Sequence, residues 1–415
     1  MNAPSAAGAG RSALRPLDDA LAELLGHAHP LAGTETVSTF EADGRVLAQD
    51  LVSELQVPPL DNSSMDGYAV RSHEIADEGV PLPVSQRIPA GAAPGPLAPG
   101  SVARIFTGAP IPAGADAVVM QEDTEPAGEQ IVRILRVPQP GQWIRRSGED
   151  VARGSVVLAK GDRMSPAALG LAAGIGMDRL VVARRPNVAL FSTGDELVMP
   201  GEVPTAQMKP GAIYNSNRFF LRALLQRLGC EVSDLGIVPD RRDATVEALR
   251  RASIDQDLIL TSGGVSVGEE DHVKPAVQSL GSLDLWQIAI KPGKPFAYGK
   301  VGPTHFIGLP GNPVSSFVTF LLLVRPFLLK LQGAIRLAPA AVPLPAHFSL
   351  PRADKRREFL RVRRNPAGGL DLFPNQSSAV LTSAVWSDGL VDNPAGRTIA
   401  RGETVSFISL AELIA

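Results

Sequence analysis

Apolar positions along the chain follow two rhythms, and the rhythm changes in blocks. In residues 17–25, Leu17, Leu21, Leu24 and Leu25 recur at helical spacing, which predicts a helix with one buried face. The stretch "RVLAQDLVS" from Arg45 predicts a helix end that runs into a strand. Between 57 and 140, Pro and Gly crowd short β-type runs: "GYAV", "SVARIFTG", "DAVVMQED" and "IVRILRV". That texture predicts a small all-β region with many turns. "GSVVLAKGDRMSPAALGLAAGIG" then predicts a strand, a turn and a helix capped by Ser165 with Pro166 at its first position.

From Asn187 the pattern becomes a regular alternation. "NVALFSTGDEL", "EVSDLGIVPD", "DLILTSGG" and "THFIGLPGNP" are short apolar runs ending in polar loops, as buried strands do. Between them lie helical patterns: "NSNRFFLRALLQRLG" ending at Gly229, "DATVEALRRAS" with Asp243 as N-cap, and "HVKPAVQSL" with Pro275 in its first turn. The long apolar "VSSFVTFLLLVRPFLLKL" closes the block. Such alternation predicts a parallel sheet with helices on both faces, and ligands then bind beyond the carboxyl ends of the strands. The loops "STGDE", "PD", "SGGVSVGEED" and "LPGNP" all fall there. From 339 the chain is β-like again, with "EFLRVRR", "GLDLFP" and "ETVSFISL", which predicts a small C-terminal β domain.

Composition narrows the function classes. The 415 residues suffice for about two to four domains. A formal net charge of −3 and 5% aromatic residues leave no global pull toward nucleic acid or membrane and no base-stacking platform. The single cysteine, Cys230, excludes a disulfide framework, and the six histidines carry no H-E-x-x-H zinc motif. The first dozen residues lack the layout of a signal peptide. The apolar run 317–331 is interrupted by Thr319, Arg325, Pro326 and Lys330 and falls short of the roughly 20 residues of a membrane span, so a core helix is expected. A cytoplasmic protein with neither nucleic-acid nor membrane partner is the expectation.

Four segments carry candidate chemistry. "LILTSGGVSVGEEDH" runs from a strand into a Gly-rich loop and three acids. It reads either as a phosphate cradle, whose free N–H groups face an anion, or as a tight turn that needs φ > 0. It is not a Walker A motif and does not match G-x-G-x-x-G, which argues against ATPase and nicotinamide chemistry. Asp195 and Glu196 could hold Mg²⁺ or serve as an N-cap and a first-turn acid. Lys291 and Lys294 flank a Pro-Gly turn and suit an oxyanion or plain solvent. "NSSMDGYAV" and "RRSGEDV" read as a turn beside a strand and a hairpin tip.

Taken in order, "DNSSMDGYAV", "TGAPIPAGADAVVMQED", "RRSGEDV", "ALFSTGDEL", "YNSN", "LGIVPD", "SGGVSVGEEDH", "AIKPGKPFAYG" and "GLPGNPVSS" resemble the molybdopterin molybdenumtransferase family, which includes the equivalent domain of gephyrin. The resemblance covers roughly residues 15–330 and is weaker in the C-terminal region. It implies a multidomain α/β plus β chain: a discontinuous mixed domain (12–56 and 141–183), a β-rich insert (57–140), a MogA-like parallel α/β domain (184–333) and a C-terminal β domain (339–415). It implies insertion of molybdate into adenylated molybdopterin, with release of AMP, Mg²⁺ as cofactor and an elongated homodimer. Molybdopterin adenylyltransferase and downstream molybdoenzymes would be partners.

By the same resemblance, Ser262, Gly263, Gly264, Val265, Ser266 and Gly268 hold phosphate of the adenylated pterin, with Pro310, Gly311 and Asn312 beside them. Glu196, Asp240 and Asp271 line the cleft around the metal, and Lys291, with Lys294, attracts molybdate. Asp61, Asp66, Thr107 and Asp150 face the α/β domain of the second subunit, and Arg361 and Ser378 match C-terminal positions. Two departures stand out: Gln287 in "LWQIAI", where a basic residue is common, and "PNQSSA", which lacks the commoner glycine. Adenylation of molybdopterin and a non-catalytic scaffold are the competing functions. The long N-terminal region argues against the first, and the retained cleft acids argue against the second.

Overall fold

The computed structural model describes residues 14–264 and 272–414. Its centre is a six-stranded sheet, in spatial order Glu231–Val238, Asn187–Thr193, Leu258–Ser262, Thr304–Leu309, Pro295–Val301 and Gly281–Gln287. The first four strands are parallel. Successive side chains of a strand point to opposite faces, so a continuous apolar run fills two cores at once. Val188, Leu190, Leu258, Leu260 and Ile307 pack with the helix Asn217–Arg227 and the long helix Pro313–Leu331. Ala189, Phe191, Ile259 and Phe306 pack on the other face with Arg242–Ala252 and Val273–Leu280.

The last two strands depart from the all-parallel expectation. Pro295–Val301 runs antiparallel to both Thr304–Leu309 and Gly281–Gln287. Only Gly302 and Pro303 separate Val301 from Thr304, with Gly302 at φ +59°. A two-residue link makes a hairpin and cannot carry the crossover that a parallel neighbour needs. Asp243 also differs from its expected capping role. The helix begins two residues earlier, Arg241 is the cap position, and Asp243 lies in the first turn, where its charge still suits the helix dipole. Ser165 caps as expected, accepting from the Ala168 N–H ahead of Pro166.

The helix Pro313–Leu331 is long and apolar enough to cross a membrane by length and composition, but its side chains form the main core. Its middle, Phe320–Val324, is π-helical and leads directly into Arg325 and Pro326. Proline removes one ladder hydrogen bond and crowds the carbonyl a turn earlier, and the wider π stretch relieves that conflict.

The flanking parts attach to this centre. Leu17, Ala20, Leu24 and Ala28, from the helix Leu17–His27 and its C-cap, join the same core as Val188 and Leu328. Thr34–Ser38 pairs with Arg179–Ala183, and Leu51–Val52 with Val156–Leu158, bringing distant stretches into one small domain. A six-stranded sheet between residues 67 and 134 forms the β-rich insert. In the C-terminal region Arg357–Arg364, Gly389–Asn393, Thr404–Ser409 and Ala341–Pro345 form a sheet, and the short strand Ile290–Lys291 joins its edge.

Candidate active site

Thr193, Val238, Ser262 and Leu309 end their parallel strands on one side of the sheet, in register as Thr193↔Val238, Ser192↔Ser262 and Ser262↔Leu309. The loops that follow them open into a cleft of about 720 Å³. Its wall holds Glu196, Asp240, Ser262, Gly263, Gly264, Pro310, Gly311 and Asn312. Val265, Ser266, Gly268 and Asp271 lie outside the described residues.

Gly263 and Gly264 have φ of +88° and +68°. A Cβ on Gly263 would stand 2.7 Å from the Thr193 carbonyl oxygen. On Gly264 it would stand 2.4 Å from Val273 Cγ2 and 2.8 Å from Thr193 Oγ1. Glycine is required at both positions by backbone conformation and by space. The turn reading therefore holds for this pair, and Ser262, Gly263 and Gly264 stand in the cleft wall. Opposite them, Asn312 is the N-cap position of the long helix, with Pro313 at its first turn. That helix N-terminus presents its positive end to the same cleft.

Several contacts hold the cleft in shape. The Asn217 amide donates to the Gly311 carbonyl at 2.8 Å, and the Gly263 N–H donates to the Leu309 carbonyl at 3.1 Å. The Val314 N–H donates to the Ser378 carbonyl at 2.9 Å, so the C-terminal region caps the helix and Ser378 stands at the rim, beside Ala379 in the wall. Arg361 is buried at 1% exposure and meets no carboxylate among the described residues. It donates to Ser383 Oγ, the Phe359 carbonyl and the Ser377 carbonyl at 3.1, 3.1 and 3.3 Å. Burial pulls its guanidinium down to a pKa of about 10. Gln376, in the unusual "PNQSSA", locks this loop by accepting from the Arg361 N–H at 2.9 Å and donating to its carbonyl at 3.0 Å.

Two cleft donors escaped the sequence reading. Thr193 and Asn215 line the cleft, and Thr193 Oγ1 and Asn215 Nδ2 are buried with no hydrogen-bond partner among the described residues. Buried polar groups are seldom left unpaired, and such orphans mark a place for a ligand or water. "YNSN" ahead of an amphipathic helix looked like capping chemistry alone, and Asn215 Oδ1 does accept from the Arg218 N–H at 3.2 Å.

The remaining candidates lie elsewhere in the single chain. Lys291 is absent from the cleft wall and is paired with Glu358 at 2.9 Å and Asp354 at 3.3 Å. The Glu358 hydrogen bond raises its pKa above the usual lysine value. Lys294 is exposed next to Pro295, which does line the cleft. Asp61 accepts from the Ser147 N–H at 2.8 Å and pairs with Arg146 at 2.7 Å. Asp66 accepts from both the N–H and the hydroxyl of Thr107 at 2.8 Å, and those bonds hold its carboxyl below the usual range. These aspartates fix turns, as the turn reading has it. Asp150 is exposed. Among the described residues no three His, Cys, Asp or Glu side chains gather as a metal site. Glu196 and Asp240 are nonetheless two carboxylates in one cleft, and Mg²⁺ takes such oxygen donors together with ligand phosphates and water.

Fold and cleft define a class: an α/β protein with an anion-ready cleft over its strand ends, carried between accessory domains. Three family descriptions match in order: the MoeA N-terminal region (domain I and II) at residues 15–176, a probable molybdopterin binding domain at 189–330 and the MoeA C-terminal region (domain IV) at 343–410. The molybdopterin molybdenumtransferase of Haemophilus influenzae is 43% identical over 334 residues, 80% of each chain. That of Synechococcus elongatus is 40% identical over 393 residues, 92% of this chain and 95% of that one. The crystal structure of the molybdopterin biosynthesis moeA protein from Pyrococcus horikoshii superposes with a TM-score of 0.81 at 31% identity, covering 96% of this chain and all of that one. The chain belongs to the molybdopterin molybdenumtransferase family, and with it to molybdenum cofactor biosynthesis.

Proposed function

We propose that this chain inserts molybdate into adenylated molybdopterin and releases AMP, with Mg²⁺ required. The observation that carries this reading is the pairing, in one cleft, of a left-handed glycine turn and a helix N-terminus with two carboxylates. Carboxylates repel phosphate, so their joint presence calls for a cation between them. The Gly263–Gly264 turn and the helix end at Pro313 receive phosphate oxygens. Thr193 Oγ1 and Asn215 Nδ2 are donors for polar ligand groups at the base. Glu196 and Asp240 hold the metal, with Asp271 a further oxygen donor by family resemblance. Bound Mg²⁺ supplies charge neutralisation for the departing AMP. Lys294 stands at the rim as a cation for the incoming oxyanion.

Asp61, Asp66, Thr107 and Asp150 do not line the cleft within one chain. We infer a homodimer in which they complete the cleft of the second copy. An adenylyltransferase supplies the substrate and molybdoenzymes take the product, all in the cytoplasm. The test is AMP release from adenylated molybdopterin, with and without molybdate. Release that depends on both molybdate and Mg²⁺ supports the reading. Conversion of molybdopterin and ATP into the adenylate would assign the neighbouring reaction, and binding without turnover would assign a scaffold.

A further inference from the structure

The half-buried Arg104 lies in the strand Val102–Ile105 of the β-rich insert, in register with Tyr68 on the strand Gly67–Val70. Its guanidinium carbon stands 4.7 Å from the centre of the Phe106 ring and 5.2 Å from that of Tyr68. Arg87, in register with Arg104 on the next strand, lies over the same Phe106 ring at 4.5 Å. Guanidinium planes are attracted to aromatic faces, so the rings and the fork restrict one another.

The fork holds the backbone around Asp66. Arg104 Nη1 donates to the Gly67 carbonyl at 3.1 Å, and Nη2 donates to Gln121 Oε1 at 2.8 Å. The Gln121 N–H in turn donates to the Asp66 carbonyl at 3.0 Å. Two successive carbonyls are thus tied to one side chain, that of Gly67 directly and that of Asp66 through Gln121. Gly67 is buried, and a Cβ there would overlap the Val119 carbonyl oxygen, so the adjacent strand leaves this backbone no slack. On the other side, Thr107 follows Phe106 directly and donates to Asp66 through its N–H and its hydroxyl, both at 2.8 Å. Arg104 therefore touches both halves of the Asp66–Thr107 pair: the backbone beside the acid and the ring beside the hydroxyl. The Thr107 hydrogen bonds, and then the Arg104 charge, hold the Asp66 carboxyl below its usual range. An arginine that only covered the sheet would direct its fork into water. A lysine ammonium is a point charge and could not stack and span two acceptors at once.

Resting on the shared-cleft reading above, we propose that Arg104 is the positioning residue that presents the Asp66–Thr107 pair to the cleft of the second subunit. It acts through that pair and does not itself meet the substrate.

The experiment is turnover, as AMP release from adenylated molybdopterin at saturating substrate, by the full-length protein. Wild type is compared with Arg104→Met, Arg104→Lys, Gln121→Leu, Asp66→Ala and the double variant Asp66→Ala/Arg104→Met, and thermal unfolding is followed by circular dichroism for each. Arg104→Met and Arg104→Lys should lose about ten- to hundredfold in kcat at an unchanged unfolding midpoint, because displacing a functional group by about 1 Å costs that much. Gln121 is exposed, so Gln121→Leu removes one arm of the network without disturbing the sheet, and it should lose a smaller part of kcat. In the Asp66→Ala background Arg104→Met should cost nothing further, since residues that act through one group are not additive. A purely structural arginine would lower the midpoint and multiply its loss with that of Asp66→Ala. Multiplied losses, or wild-type kcat in Arg104→Met and Gln121→Leu beside a loss in Asp66→Ala, overturn the positioning role and leave the shared cleft standing. Wild-type kcat in Asp66→Ala overturns the shared cleft and the positioning role with it. Should Arg104→Met fail to fold, Gln121→Leu alone and combined with Asp66→Ala decides by the same pattern.

Discussion

The Nζ of Lys291 lies 2.9 Å from Oε1 of Glu358, a carboxylate only 4% exposed. This pair joins the short strand Ile290–Lys291 to the C-terminal sheet at the point where Lys291 sits in register with Glu358. Much of the Lys291 charge is therefore engaged within the protein, whatever the lysine does for molybdate. Lys291→Ala is expected to destabilise the protein by about 1–3 kcal/mol, because it strands a buried carboxylate. If the lysine also meets molybdate, half-maximal AMP release will require roughly ten- to hundredfold more molybdate, the equivalent of about 1.5–3 kcal/mol. The double variant Lys291→Ala/Glu358→Gln should recover stability without recovering molybdate affinity. Recovery of both would make Lys291 a structural residue only.

Gly264 makes a similar separation possible. Gly264→Val places a side chain at φ +68° and drives it into Val273. The cost is about 1–3 kcal/mol for the backbone alone, with steric overlap added. Adding Val273→Ala removes the overlap and leaves the conformational penalty. Denaturation midpoints should therefore show partial rescue in the double variant, while its affinity for adenylated molybdopterin stays low. Additive losses of stability would contradict the contact.

Asn217 holds the Gly311 carbonyl at 2.8 Å and so fixes the "LPGNP" loop. Asn217→Ala loses that bond, worth about 0.5–1.5 kcal/mol. A rise of about two- to tenfold in KM for adenylated molybdopterin, with kcat nearly unchanged, is the expected result in steady-state kinetics. A fall in kcat at constant KM would place Asn217 in the chemistry instead.

Asp354 is held well below the usual carboxylate range, chiefly by its hydrogen bond from Arg356. A depressed folded-state pKa adds stability that is complete above the unfolded value of about 3.9 and is lost as pH falls through the folded value. Urea midpoints of the wild type should therefore drop steeply below about pH 4. Asp354→Asn should be less stable at pH 7 and show a shallower acid limb. Equal slopes for the two proteins would remove Asp354 from the account.

The proposed sharing of each cleft between two subunits has a direct complementation test. Asp240 lines the cleft, whereas Asp66 is fixed to Thr107 in the β-rich insert. Subunits carrying Asp66→Ala are mixed with subunits carrying Asp240→Asn, and heterodimers are isolated. One unmutated cleft per heterodimer should restore up to half the wild-type activity. Inactive heterodimers would mean that each cleft is built within one chain.

Local pattern was enough for the elements around the cleft. The short apolar runs in "NVALF" and "LILTS" predict buried strands that fill two cores, and both are such strands. Ser165 and Pro166 mark a helix start by their own chemistry, and glycines at 263 and 264 announce φ > 0. Strand ends and loops are local features, which is why the cleft residues 262–264 and 310–312 could be named from the chain alone.

What only the tertiary structure decided depends on partners far away in sequence. The pairing of Lys291 with Glu358 spans 67 positions, and nothing in "KPGKP" names its acceptor. Asn215 looks like a capping residue until the fold buries it and leaves its amide without an acceptor among the described residues. The antiparallel turn of the last strands follows from a two-residue link, a matter of chain length rather than of apolar pattern. Arg325 reads as an interruption in an apolar helix, and only the fold buries it and supplies the Leu337 and Glu412 carbonyls as its acceptors. Electrostatic neighbours are set by packing, and sequence spacing carries no record of them.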